Sequence, residues 1–181
     1  MSLELYSTFL SVAVLALFLI TLISILLYLV SPKHRISYSK VGYYTYIKLA
    51  GLVAIVSTLG ALTYQFGYGT PVCEYCWWQR IFMFPIDIIA LVTIWKQITY
   101  NEIVIMILAA IGSLFAAFHY YFHFQVAVLD NILSMPCSAV GIIPSCTETP
   151  VLIFGFITIP LMALVGFITI LWLAFLAKKS R

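Results

Sequence analysis

Charge is what this sequence has least of. Asp, Glu, Lys and Arg make up 8% of its 181 residues, against about a quarter in an ordinary soluble domain. That scarcity excludes a soluble globular chain. Disorder is excluded too, because it requires low hydrophobicity with high charge, and here 64% of the residues are hydrophobic. Nine Lys and Arg spread along the chain do not form the basic surface that nucleic-acid binding needs, so no nucleic-acid partner is expected. The short segments of alternating polarity that mark an outer-membrane barrel are missing as well. So are internal repeats, low-complexity stretches and Pro-rich linkers, which leaves no visible domain boundary. The remaining class is an all-α integral membrane protein.

Long apolar runs are what the chain does have. They cover Leu5 to Val30, Tyr43 to Phe66, Trp77 to Trp95, Ile103 to about Phe122, and Val151 to Ala177. Each is long enough for one span at about 20 residues, which predicts five transmembrane helices. The first could be read as a cleaved signal peptide. However, no Lys or Arg precedes it, it is too long for an h-region, and no small-residue cleavage site follows, so a retained helix is expected. Pro85 and Pro160 fall inside two runs, where helices in lipid tolerate them with modest kinks.

The few cations set an orientation. Lys33, Arg35, Lys40 and Lys48 follow run one, Lys96 follows run three, and Lys178, Lys179 and Arg181 lie after run five. The loop from Gly67 to Cys76 and the loop from His123 to Pro150 carry Glu74, Asp130 and Glu148 but no Lys or Arg. By the positive-inside rule those two loops and the N-terminus are extracytoplasmic and the C-terminus is cytoplasmic. A multi-pass protein of the cell membrane is expected.

Cysteine is also scarce, and its placement is not random. Cys73, Cys76, Cys137 and Cys146 are the only four, and all lie in or at the edge of the two outer loops, where disulfides persist. They form two local pairs, Cys73-x-x-Cys76 and Cys137 with Cys146. Structural staples, a four-thiolate zinc site and redox exchange are the competing readings. A bundle of this size hardly needs staples, and the second pair's spacing is too wide for a zinc knuckle, so no metal is expected. A Cys-x-x-Cys pair passing electrons to or from a second pair is ordinary thiol–disulfide chemistry.

Neighbouring residues sharpen the redox reading. The third helix should begin close to Glu74, placing Cys76 in its first turn, where a helix N-terminus favours thiolate. Arg80 lies one turn deeper on the same face and would favour the same anion. Its bland alternative is an arginine snorkelling to headgroups, yet a charge at membrane depth beside a reactive sulfur is a functional candidate. His119 and His123 stand four apart near the outer end of run four, with metal ligation, an interfacial role and contact with a cofactor all open. Asp87 lies within the third run and receives no chemical role. The Tyr, Trp and Phe residues near span ends, Trp77 and Trp78 among them, mostly form the aromatic belt.

Three segments together resemble the disulfide bond formation protein B (DsbB) family, especially its Gram-positive members with a short second loop. They are Cys73-Glu-Tyr-Cys-Trp-Trp-Gln-Arg80 running on to Pro85, then His119-Tyr120, then Pro136-Cys137 through Cys146 followed by Phe154-Gly-Phe-Ile-Thr-Ile-Pro160. The resemblance covers about residues 45 to 177. It implies an antiparallel four-helix bundle, to which run one is an additional N-terminal transmembrane helix. Residues 1–181 then form a single membrane domain, with 1–40 as the extra helix and a cytoplasmic loop and 41–181 as the bundle.

The resemblance further implies a thiol oxidase that takes electrons from a DsbA-like thioredoxin-fold partner and gives them to a quinone of ubiquinone or menaquinone type. Matching positions make Cys137 the sulfur engaged by the partner, Cys146 its pair, Cys73 the sulfur that resolves the exchange, and Cys76 the sulfur facing quinone. Arg80 matches a quinone-binding arginine, and His119 resembles a histidine near the ring. Vitamin K epoxide reductase relatives place their quinone-side pair after the loop pair; here it comes first. The reading from another class is a structural or interaction protein whose outer loops are merely braced by disulfides.

Overall fold

A computed structural model describes residues 2–127, 129 and 151–181. Among the described residues six α-helices follow in chain order: α1 (Leu3–Val30), α2 (Pro32–Ser39), α3 (Tyr43–Leu62), α4 (Glu74–Lys96), α5 (Asn101–Ala127) and α6 (Ile159–Ser180). A π-helical turn, Thr63–Gly67, prolongs α3. Five of these helices are long and apolar enough to cross a membrane, α3 together with its π turn counting as one. The chain is an all-α integral membrane protein.

Local chemistry sets the helix ends. The Ser2 hydroxyl caps α1 by accepting from Leu5 N–H at 3.3 Å, as an N-cap serine does. The α1 helix stops at Ser31, which is extended because the following Pro32 clashes with a helical predecessor. Pro32 then opens α2, where its missing N–H costs nothing. Two turns of helix thus occupy the stretch expected as a plain loop. Gln97 closes α4 in the left-handed conformation at φ 53°.

The last span is shorter than the apolar run suggested. Val151 to Ile157 is not helical: Ile153 and Ile157 pair as an isolated antiparallel bridge. Phe154 and Gly155 between them both take positive φ, 53° and 75°. A left-handed pair cannot sit in an α-helix, so α6 begins only at Ile159, with Pro160 in its first turn.

Helices α3, α4, α5 and α6 pack in a closed ring, each against its sequence neighbour and α3 against α6. Lipid is as apolar as leucine, so the ring is held by close packing rather than by a hydrophobic drive. Small residues make that packing possible. Ala50, Ala54, Ala90, Ala109 and Ala174 are all buried at its centre. At Gly51 an added Cβ would stand 3.0 Å from the Ala90 methyl, and at Gly112 it would run into the buried ring of Phe167. Outward-facing leucines and isoleucines such as Leu49, Leu59, Ile88 and Leu114 stay exposed, as a lipid-facing surface requires.

The bundle therefore has two dissimilar ends. One gathers the start of α1, the π turn, Cys73 and the start of α4. The other gathers α2, the α4–α5 turn and the cationic end of α6. At this basic end Glu102 is buried and held by Tyr43, whose hydroxyl donates at 2.9 Å, and by Arg181 at 2.5 Å. Arg181 also covers the Tyr100 ring at 3.8 Å.

Candidate redox site

Cys73 is the N-cap of α4, with extended backbone and its sulfur accepting the Cys76 N–H at 3.4 Å. The Cys73 and Cys76 sulfurs are in hydrogen-bond contact at 3.1 Å. From α5, His119 brings Nε2 to 3.5 Å from the Cys73 sulfur. Its other nitrogen, Nδ1, faces the side-chain amide nitrogen of Gln79 at 3.0 Å. An amide NH₂ only donates, so Nδ1 accepts and the proton of the neutral ring lies on Nε2, aimed at sulfur. Gln79 thereby sets the tautomer. The ring itself is fully buried, stacked on Tyr75 at 5.6 Å and met edge-on by His123 at 4.4 Å.

This environment pulls the Cys73 thiol down to about 4. The hydrogen bond with Cys76 is the largest cause; burial opposes it; the hydrogen bond and electrostatic attraction of His119 and the Cys76 backbone N–H reinforce it. Sequence reasoning put the helix-stabilised thiolate on Cys76. The fold puts it on Cys73 instead, because the cap position receives the N–H and because His119, 46 residues away in the chain, closes on that sulfur.

Cys76 turns the other way. With Gln79 and Arg80 it lines a cavity of about 360 Å³ between α1, α3, α4 and α6. Arg80 is buried. It donates to the Gln65 side-chain oxygen, donates to the Ala61 carbonyl at 3.1 Å, and packs over the Trp77 ring at 5.2 Å. Both oxygens are neutral, so they orient the guanidinium without cancelling its charge. The rest of the lining is mostly aliphatic, including Leu52, Val56 and Met162. A cavity with one cationic, amide-rich end and an apolar remainder fits a ring bearing carbonyl oxygens and an apolar substituent. Cys76, Gln79 and Arg80 are the residues that would hold its polar edge.

Of the expected site residues, Cys73, Cys76, Arg80 and His119 come together, while Cys137 and Cys146 lie outside the described residues. His119 stands behind Gln79 as seen from the cavity and addresses Cys73 directly. Asp87 accepts a hydrogen bond at 2.7 Å from Thr58, which is one of the cavity's lining residues. Cys73, Cys76 and His119 also place three ligand atoms within 4.8 Å of one another, a set able to take a thiophilic cation. Gln65 and Gln79 went unnoticed in the sequence. Gln79, a second polar residue inside a span and next to Arg80, was detectable in principle; Gln65, one residue from the end of its run, was a weaker signal.

Comparisons with known proteins identify the family. The family described as Disulfide bond formation protein DsbB matches residues 44–177. The probable disulfide formation protein C 1 of Bacillus anthracis is 33% identical over 128 residues, which is 71% of this chain and 88% of that protein. The disulfide bond formation protein C of Bacillus subtilis (strain 168) is 32% identical over 130 residues, covering 72% and 90%. A second protein of that strain, the SPbeta prophage-derived disulfide bond formation protein B, is 32% identical over 123 residues, covering 68% and 78%. No solved structure matches the chain.

Proposed function

Since the chain belongs to the DsbB family and is a disulfide-forming membrane oxidoreductase, we propose that it reoxidises the dithiol of an extracytoplasmic, DsbA-like thioredoxin-fold protein and passes the electrons to a membrane quinone. Cys137 and Cys146 exchange with the partner: its dithiol becomes a disulfide and theirs becomes a dithiol. The Cys73–Cys76 disulfide then takes the electron pair from the loop and is itself reduced. When Cys73 and Cys76 close their disulfide again, two electrons leave the pair together with the one proton held by Cys76, the Cys73 proton having already gone to solvent; a bound quinone would supply the acceptor for the electrons.

The protein's own groups divide this work. His119, held by Gln79, keeps Cys73 as the anionic leaving sulfur of the exchange, and a low-pKa thiol leaves faster. Cys76 stands on the cavity side, next to the fixed cation of Arg80. A guanidinium already in place stabilises negative charge on a carbonyl oxygen without reorganising at the moment of reaction. The single observation that carries the reading is this split: one sulfur of the pair on the histidine side, the other on the side of a cavity that is cationic at one end and apolar along the rest. A purely bracing disulfide requires neither neighbour. The cysteine end is extracytoplasmic in this reading, with the N-terminus, because Lys33, Arg35, Lys40, Lys178, Lys179 and Arg181 cluster at the opposite end.

The test adds a quinone to purified protein together with a reduced thioredoxin-fold dithiol and follows oxidation of that dithiol. Stoichiometric oxidation that ceases when quinone is withheld supports the reading. Oxidation that proceeds equally without quinone, or none in its presence, refutes it.

A further inference from the structure

Helix α1 lies outside the residues matched to the family, and its attachment to the bundle is specific. Near its outer end the Tyr64 hydroxyl donates to Ser7 at 3.1 Å, and the Tyr6 ring meets Tyr64 and Tyr68 at 5.2 and 5.3 Å. Further down, Thr21 and Thr169 share a hydrogen bond at 3.0 Å, and Trp172 donates its indole N–H to Ser24 at 2.9 Å. Between these two fastenings Leu10, Ala13, Val14 and Leu17 form one wall of the cavity that holds Cys76 and Arg80. Leu52 and Val56 of α3 line it as well.

Arg80, Gln65 and Gln79 lie toward the outer end of that cavity; further in, Ser57 and Thr58 line it with hydroxyls that already donate to Val53 and Asp87, and Leu10 to Leu17 extend an apolar wall by about 10 Å along the helix axis, at 1.5 Å per residue. A ring alone meets the polar end. A wall of this length fits an apolar chain attached to the ring.

Resting on the quinone reading above, we infer that α1 is part of the acceptor site: it forms, with α3 and α6, a slot for the isoprenoid tail, so the protein selects tailed quinones over bare ring compounds. The tail exchanges one apolar surrounding for another, so no hydrophobic gain drives it into the slot. What the slot supplies is close packing along a preformed path, which orients the ring against Arg80 and Cys76.

Steady-state kinetics on the full-length protein with two probes, a decyl-substituted benzoquinone and the same ring without its chain, test this. Val14→Trp fills the slot and should raise KM for the decyl compound about tenfold, the scale of over-packing a filled site, with KM for the bare ring unchanged. Val14→Ala, which keeps the fold even where Trp does not, should raise the decyl KM about two- to threefold through lost contacts. Val12→Trp on the outward face of α1, where Val12 is 53% exposed, should change neither. Equal shifts for both probes, or no shift with either Val14 variant while wild type remains active, overturn the role of α1 alone. A wild type that uses neither quinone overturns the functional reading and this inference with it.

Discussion

At the basic end of the bundle Glu102 is fully buried and answered by Arg181 and Tyr43; at the cysteine end Arg80 is buried to a similar degree and answered by the neutral oxygens of Gln65 and Ala61. Burying a charge in low dielectric is costly unless it is paired. The first arrangement meets that cost with an opposite charge and ties α3, α5 and the end of α6 together. The second holds its cation in place but leaves the charge itself to act on whatever enters the cavity. One end is built for stability, and the other keeps a field ready for chemistry.

The comparison breaks most completely at Cys76. Cys76→Ser should abolish quinone-dependent oxidation of the partner while leaving the fold and the Cys73–His119 contact intact, as read by turnover and by thermal unfolding of the same preparation. Next comes Arg80. Arg80→Gln removes charge-assisted hydrogen bonding worth about 1.5–3 kcal/mol and should raise the quinone KM roughly tenfold to a hundredfold. Arg80→Lys should fall between, since ammonium supplies charge without the planar fork.

Glu102→Ala should do the reverse. Loss of the buried carboxylate should destabilise by about 2–4 kcal/mol, softened because Arg181 is 30% exposed and can turn to water. A lower thermal midpoint with unchanged quinone KM per folded molecule is the expected pair of readings. If Glu102→Ala changed KM, or Arg80→Gln lowered the midpoint as much, the two ends would not be divided as described.

The smallest effect is expected at Gln79. In the reduced protein Cys73 titrates at about 4 rather than the ordinary 9.0, so its alkylation rate should be nearly flat from pH 8 to pH 5 and fall only below that. Because the folded value is depressed, the stability it contributes is full above the unfolded pKa and is lost as pH falls through the folded one. Gln79→Leu releases the His119 tautomer and should move the alkylation midpoint upward, and because Gln79 also lines the cavity it should raise the quinone KM, by less than Arg80→Gln does, while turnover persists. An unmoved midpoint would detach Gln79 from the thiolate.

Much of this was legible beforehand because membrane proteins advertise two things along the chain: apolar run length and the side on which cations fall. Both depend on neighbours in sequence, and both located the spans. Arg80 stood out for the same reason, as a cation in the wrong place. What escaped notice depends on contacts across the fold. The thiolate on Cys73 requires His119 from another helix, and the α6 boundary turns on the left-handed backbone of Phe154 and Gly155 inside a run that is apolar throughout. The role of α1 was hidden by its own composition. Ser7, Thr21 and Ser24 are too small to interrupt an apolar run, yet they fasten it to the bundle.

The cap of α4 has an electrochemical consequence. Cys73 as thiolate accepts the Cys76 N–H and sits at the positive end of the helix dipole; once its sulfur enters a disulfide that anionic acceptor is gone. The first turn of α4 is therefore better satisfied in the reduced protein than in the oxidised one. A cap contributes about 1 kcal/mol, which for a two-electron couple corresponds to about 20 mV toward a more oxidising pair. The same turn that starts the helix thus pulls electrons onto Cys73 and Cys76, and it sets by that amount a higher floor for the potential of any acceptor that is to remove them.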